Sequence, residues 1–216
     1  MNRLIKEQIA RHGQNTICHE LGHVIGYCLS FSQSNTNLGN ILHVRIGSSI
    51  NEVVPLNNSF HVAQINENED LERKIRENIT KKELVIAWFI EVLLGCTFQS
   101  LYEKKDFEKC FDEKGLGKKD LENINDFLEF SELKVDIKFL LAIQKDLVQI
   151  IEYYKIIESL DPLIEEIVED LIESNTVQLI FKSDNLDLLI EKLNRIISTE
   201  FLGDYIKIVN KYSIKL

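Results

Sequence analysis

Proline occurs only twice and glycine nine times in the 216 residues. That leaves little room for long linkers, so residues 1–216 read as a single domain. Basic residues are outnumbered, 25 Lys and Arg against 35 Asp and Glu, for a net charge of −10. An acidic surface repels nucleic acid and anionic lipid, so neither is an expected partner, whereas a polypeptide substrate is compatible with it. Long apolar runs are missing as well. The longest, Leu84 to Gly95, is interrupted by Glu91 and falls short of a bilayer span, so no membrane insertion is expected. Met1 to Glu7 lacks the apolar core of a secretory signal, and the chain reads as cytoplasmic. Cysteine is scarce and widely spaced, at Cys18, Cys28, Cys96 and Cys110, with no C-x-x-C pair. In that compartment the thiols are expected to be reduced, several serving as small buried hydrophobes. No internal repeat and no low-complexity tract occurs.

What the chain does have is helix-forming material. Apolar residues make up 44% and charged residues 28%, with Leu, Ile, Glu and Lys prominent, so the expected fold class is mainly α (α+β). Asn15 or Thr16 is expected to cap a helix running to about Leu29. Ser30 to Gly39 is polar and turn-rich. Ile41 to Ile46 and Ser59 to Ile65 alternate and are rich in strand formers, which predicts a small antiparallel pair across Asn51 to Asn58. Thr80, with Glu83 three residues on, offers a capping box for a helix over 81–102 that is apolar on nearly all sides and therefore crosses the core. From Asp120 onward the pattern predicts helix almost throughout, with apolar periodicity over 135–160, 162–174 and 186–201 and Pro162 in the first turn after Asp161. This divides the domain into a core over 10–125 and a helical part over 126–216.

The residues that carry chemistry are His19-Glu20-Leu21-Gly22-His23. On a helix, residues four apart lie one turn apart on the same side, so His19 and His23 present both imidazoles to one point, the bite of a tetrahedral zinc. Glu20, about 100° further round than His19, can reach a water there without being a ligand and can carry its proton to a leaving amine. Ile17, Leu21, Val24 and Cys28 share the opposite face of the helix and predict a core contact. Gly22 and Gly26 each cost about 1 kcal/mol relative to alanine in a helix, a cost tolerated where another backbone comes close. Tyr27 falls near Glu20 and His23 on the helical wheel and reads as packing.

A catalytic zinc takes three protein ligands, so a third is required. Glu91, the only charge in the apolar run Leu84 to Gly95, is one candidate. Asp120, at a helix start, is another and doubles as a cap. His43 and His61 lie on the proposed strands at solvent-facing positions. The order of features resembles the zinc peptidase domain of FtsH-type membrane proteases. Thr16 to His23 resembles that family's T-x-x-H-E-x-G-H, and Asn40 to Gly47 the short strand that follows. Thr80 to Leu84 through Leu93-Leu94-Gly95 resembles its "tkeeL…vlLGGraAE" helix. Gly117 to Glu122 resembles the "gasnDle" segment that supplies an aspartate ligand. The resemblance spans about residues 10–200 and implies zinc held by His19, His23 and Asp120, one ion per chain. It departs at Gly95-Cys96-Thr97-Phe98-Gln99, where Gln99 replaces the family's acid, and the spacing from His23 to Asp120 is somewhat longer. No G-x-x-x-x-G-K-[ST] phosphate loop occurs in this sequence, so the resemblance implies a peptidase module without the ATPase and transmembrane parts.

The function expected is a zinc metallopeptidase acting on polypeptide, with Glu20 as general base. The substrate is an unfolded segment or loop, aligned along Ile41 to Ile46 or Phe60 to Ile65 by strand addition. Two alternatives stand beside it: a regulatory zinc protease of the phage-repressor-cleaving kind, and a non-catalytic zinc-containing protein-binding module. The C-terminal helices offer an interface for a homo-oligomer.

Overall fold

The computed structural model describes residues 13–41, 43–47, 75–111, 117–131, 133–174 and 178–216. Its elements run α1 (Gln14–Ser30), β1 (His43–Gly47), α2 (Lys82–Glu103), a 3-10 helix (Phe107–Phe111), α3 (Lys118–Ser131), α4 (Ile137–Tyr153), α5 (Ile156–Glu173), β2 (Gln178–Lys182), α6 (Asp184–Ile196) and α7 (Thr199–Ser213). The fold is mainly α, with one small two-stranded antiparallel sheet.

Helix α2 organises the rest. It is apolar on all sides because it is surrounded: α1 lies along it, and the 3-10 helix, α3, α4, α5 and α7 all touch it. Among the described residues it is the one helix long and apolar enough to cross a membrane by length and composition, yet 83% of its most apolar window is buried inside the protein. The helix extends well beyond the Leu84–Gly95 run, so the length argument from the sequence does not hold; its burial marks it as a core helix. Trp88, Phe89 and Phe127 stack beside one another where α3 crosses it, with ring centroids 4.8 to 6.0 Å apart.

The C-terminal helices wrap this centre through one face each. In α4 the buried residues are Leu140, Ile143, Leu147 and Ile151, a three-and-four spacing that lays a single stripe on the core. Asp136 caps α4 by accepting from the Phe139 amide at 2.9 Å, and Ser198 caps α7 by accepting from the Phe201 amide at 3.1 Å.

Several boundaries differ from the sequence expectations. Helix α1 starts at Gln14 after Gly13, with no side-chain cap, so neither Asn15 nor Thr16 caps it. Lys81, not Thr80, is the N-cap of α2, and no capping box forms. The 135–160 pattern is broken between α4 and α5, where Lys155 takes a left-handed conformation at φ 52°. Pro162 therefore falls inside α5 rather than at its start. Its exposed position lets the carbonyl that loses an N–H partner face water, which makes the proline tolerable. Strand β1 pairs with β2, register Val44↔Phe181, in a stretch where helix was expected. The predicted strand over 59–65 and His61 lie outside the described residues. On β1, Val44 and Ile46 are buried while His43 and Arg45 are half-buried, the phase the alternation predicts.

Candidate metal centre

The site begins with two helices that approach closer than side chains permit. A Cβ on Gly22 would lie 2.6 Å from the Leu94 carbonyl oxygen, and one on Gly26 would lie 2.7 Å from Glu91 Cα. The reverse holds at Gly95, where a Cβ would collide with the His23 ring. Three glycines thus let α1 and α2 meet backbone to backbone along the side of α1 that carries the histidines. This contact sets the position of everything that follows.

His23 is fixed by that approach. Its Nδ1 lies 3.0 Å from Glu91 Oε1 and 3.2 Å from the Glu91 carbonyl oxygen. A ring held at Nδ1 by a carboxylate turns Nε2 outward as a lone pair, the arrangement that orients and strengthens a metal-ligating histidine. Glu91 therefore reaches the ring from behind, and it stands as an orienting partner of His23 rather than beside the other donors. Its burial, with only 6% exposed, is matched by a polar partner, which is what a carboxylate inside an apolar helix requires.

Asp120 arrives from a third element. It is in the first turn of α3, just inside the helix rather than at the cap. That turn is anchored by the Gly117 amide donating to the Cys110 carbonyl at 3.0 Å and the Leu121 amide donating to the Gly117 carbonyl at 3.0 Å. Asp120 Oδ2 lies 3.2 Å from His19 Nε2 and 3.5 Å from His23 Nε2, and the two Nε2 atoms are 3.2 Å apart. A tetrahedral ion with bonds of about 2.0–2.1 Å has ligand-to-ligand edges of about 3.3–3.4 Å. The three observed edges fit one face of such a tetrahedron. Asp120 Oδ2 is fully covered and makes no hydrogen bond among the described residues, as expected of an atom placed for a cation.

The electrostatics agree. Burial alone would lower the His23 pKa, but the charge of Asp120 and the hydrogen bond that the ring donates to Glu91 raise it well above the ordinary imidazole value. Burial pushes Asp120 the other way, yet His23 and His19 hold its carboxyl well below the usual range. Burial raises Glu91, against the pull of His23. The anionic Asp120 is what draws positive charge to the cluster, here as a ring proton on His23 that a bound metal ion would displace. His19, Glu20 and His23 are 2%, 6% and 7% exposed, so that attraction acts away from bulk water.

His43, on β1, is not brought to the cluster. Tyr27 is part of the hydrophobic core. What the sequence reading missed is sulfur. Cys96 and Cys110 are joined in a disulfide with Cα atoms 5.7 Å apart, against the expectation of four reduced thiols. The two cysteines are distant in sequence, and only the return of the 3-10 helix onto α2 brings them together. Cys18 and Cys28 remain free; burial raises both thiols, Cys28 to about 12, so both behave as the inert hydrophobes expected. Cys110 Sγ is 4.0 Å from His19 Nδ1 and 3.1 Å from Gln99 Oε1. The second histidine is thus backed by sulfur where the first is backed by a carboxylate.

No protein-family model, no curated protein and no solved structure matches this chain.

Proposed function

We propose that this protein is a zinc metallopeptidase in which His19, His23 and Asp120 hold the ion and Glu20 moves the proton. The observation that carries the reading is the N–N–O triangle of 3.2, 3.2 and 3.5 Å, built from an H-E-x-x-H helix and a carboxylate from α3. The donor set suits the metal: two neutral imidazoles and one carboxylate leave a dication with residual positive charge and one open position, the pattern of catalytic rather than structural zinc. Bound there, zinc would supply a Lewis acid that polarises a peptide carbonyl and acidifies water.

The remaining work falls to the chain. Glu20 follows His19 on the same rigid helix and accepts a proton from the attacking water, then returns it to the departing amine. Glu91 keeps the His23 ring in the tautomer that offers Nε2. Gly22, Gly26 and Gly95 hold the two helices at the separation the triangle needs. Strand β1 packs on α1, and an extended substrate laid alongside it would bring its backbone toward the histidine face. Unfolded segments and loops are the substrates such an arrangement accepts. The third donor, far beyond His23 in sequence and at a helix start, supports the likeness to FtsH-type peptidases over the repressor-cleaving kind, whose third ligand lies much nearer.

The test is metal content together with hydrolysis of unfolded casein by the purified chain. Glu20→Gln is expected to retain one zinc per chain while hydrolysis falls at least ~100-fold. Asp120→Ala is expected to lose both. Undiminished hydrolysis by Glu20→Gln, or a wild type that binds no zinc, would refute the reading.

A further inference from the structure

His19 has two ring nitrogens, and they face two different sets of donors. Nε2 looks toward His23 and Asp120, whereas Nδ1 looks toward Cys110. One ligand atom from each of His19, Cys96 and Cys110 lies within 4.8 Å of the others, and all three residues are buried. We propose that Cys96, Cys110 and His19 Nδ1 form a second metal site, opened by reduction of the disulfide, which takes a soft divalent ion in place of the first.

The chemistry balances. A dithiol reductant breaks the Cys96–Cys110 bond, giving up two electrons and two protons to make two thiols and becoming a cyclic disulfide itself. A divalent ion then displaces both thiol protons to solvent. Two thiolates and a neutral imidazole neutralise a dication, and Asp120, which stays beside them, is met by the His19 Nε2–H 3.2 Å away. Thiolate donors also select zinc, cadmium and other soft ions over harder ones. Gln99 bears on the reduction step alone. Its Oε1 is 3.1 Å from Cys110 Sγ, an acceptor that a disulfide cannot use and a thiol can.

The shared histidine makes the two sites exclusive. A neutral imidazole has one lone pair. With the ion on Nδ1, Nε2 carries the hydrogen and donates it to Asp120 Oδ2, 3.2 Å away. With the ion on Nε2, Nδ1 carries the hydrogen and faces sulfur. Reduction therefore draws the metal away from the position that Glu20 serves. The site stands independently of whether the chain hydrolyses peptides.

Cobalt(II) is the probe, added to the full chain under anaerobic conditions before reduction and after reduction with a dithiol that is then removed. The reduced chain is expected to show a thiolate-to-cobalt charge-transfer band with one cobalt per chain, and the oxidised chain no such band. Cys96→Ser, Cys110→Ser and His19→Ala should lose the band. Asp120→Ala, which removes a donor of the first site only, should keep it, as should the double variant Cys18→Ser, Cys28→Ser. The wild-type comparison decides the matter even where a variant fails to fold, because circular dichroism checks the fold in both redox states. Cobalt bound to the reduced chain without the band, a band that survives Cys96→Ser, a second cobalt on the same reduced chain, or loss of helicity on reduction would each overturn the proposal.

Discussion

Helices α1 and α2 come closest where side chains are absent, whereas α4 to α7 are held by apolar side chains throughout. At the first contact, Gly22, Gly26 and Gly95 leave room for carbonyls, Glu91 and an imidazole. In α4 to α6 the same role is played by stripes rich in Leu and Ile, and in α7 by Phe201, Tyr205, Ile208, Val209 and Tyr212. The difference teaches where the function can sit. A stripe of branched side chains tolerates small shifts by repacking. A backbone-to-backbone contact does not, and it is this contact that fixes the distances among the proposed metal donors.

The comparison can be broken most severely at Gly22. One methyl group there must displace the Leu94 carbonyl from 2.6 Å, so Gly22→Ala is expected to destabilise by about 3 kcal/mol, the upper end of overpacking costs. For a chain of this size that lowers the melting temperature by roughly 6–12 °C. The folded fraction should also bind zinc more weakly, because the helices can only relieve the clash by separating. Leu193→Ala supplies the counterpart. Leu193 is fully buried on α6, and deleting its side chain is expected to cost a comparable ~3 kcal/mol through transfer and cavity terms. Its zinc affinity should stay at the wild-type value. Thermal denaturation with a zinc titration separates the two: equal affinity losses in both variants would mean that the glycine contact has no special hold on the site.

Gly95→Ala sharpens the same point with less global damage. The added methyl meets the His23 ring, the far end of a side chain rather than a backbone, so the ring turns and the fold survives. Disturbing the orientation of a ligating histidine typically costs 10–100-fold in metal affinity, and that loss is expected here by competition with a chelator. Glu91→Ala, which removes the carboxylate partner of Nδ1 and leaves only the backbone carbonyl, should give a loss of the same order. Wild-type affinity in both would show that the packing behind His23 does not orient it.

These two regions were also legible to different degrees, for physical reasons. The face bearing His19, Glu20 and His23 could be read because helical spacing alone determines it. The close approach at Gly22 and Gly26 could be read from their unfavourable propensity in a helix. Asp120 is one candidate among several and could be preferred over Glu91 only through a likeness to a family, since nothing local distinguishes a helix-start aspartate that caps from one that faces imidazoles. Glu91 drew notice as a charge in an apolar helix, but its direction, toward Nδ1 and not Nε2, depends on the crossing of two helices. The pairing of Cys96 with Cys110 depends on a turn through the 3-10 helix that carries no sequence signal. In the C-terminal part the buried stripes followed from periodicity, yet their ends did not. The apolar pattern continues through Tyr154 and Lys155, and a lysine at positive φ is a break that no propensity predicts. Strand β2, Gln178–Lys182, is too short for alternation to outweigh the helical pattern around it.

The smallest effect is the sharpest discriminator, because it applies the same change with the opposite sign. Gly203 lies within α7, and a Cβ built there meets nothing within 4 Å. Gly203→Ala therefore carries no steric penalty, while it removes backbone freedom from the unfolded chain and improves helix propensity, together about 0.5–1 kcal/mol of added stability. The expected outcome is a melting temperature raised by roughly 1–4 °C, with metal content and hydrolysis unchanged. One substitution type then destabilises at Gly22 and stabilises at Gly203, and the sign is set by whether a neighbouring backbone occupies the space the methyl needs. A fall in stability at Gly203 would mean that α7 packs more tightly than this, and the contrast between a contact made of glycines and one made of side chains would lose its basis.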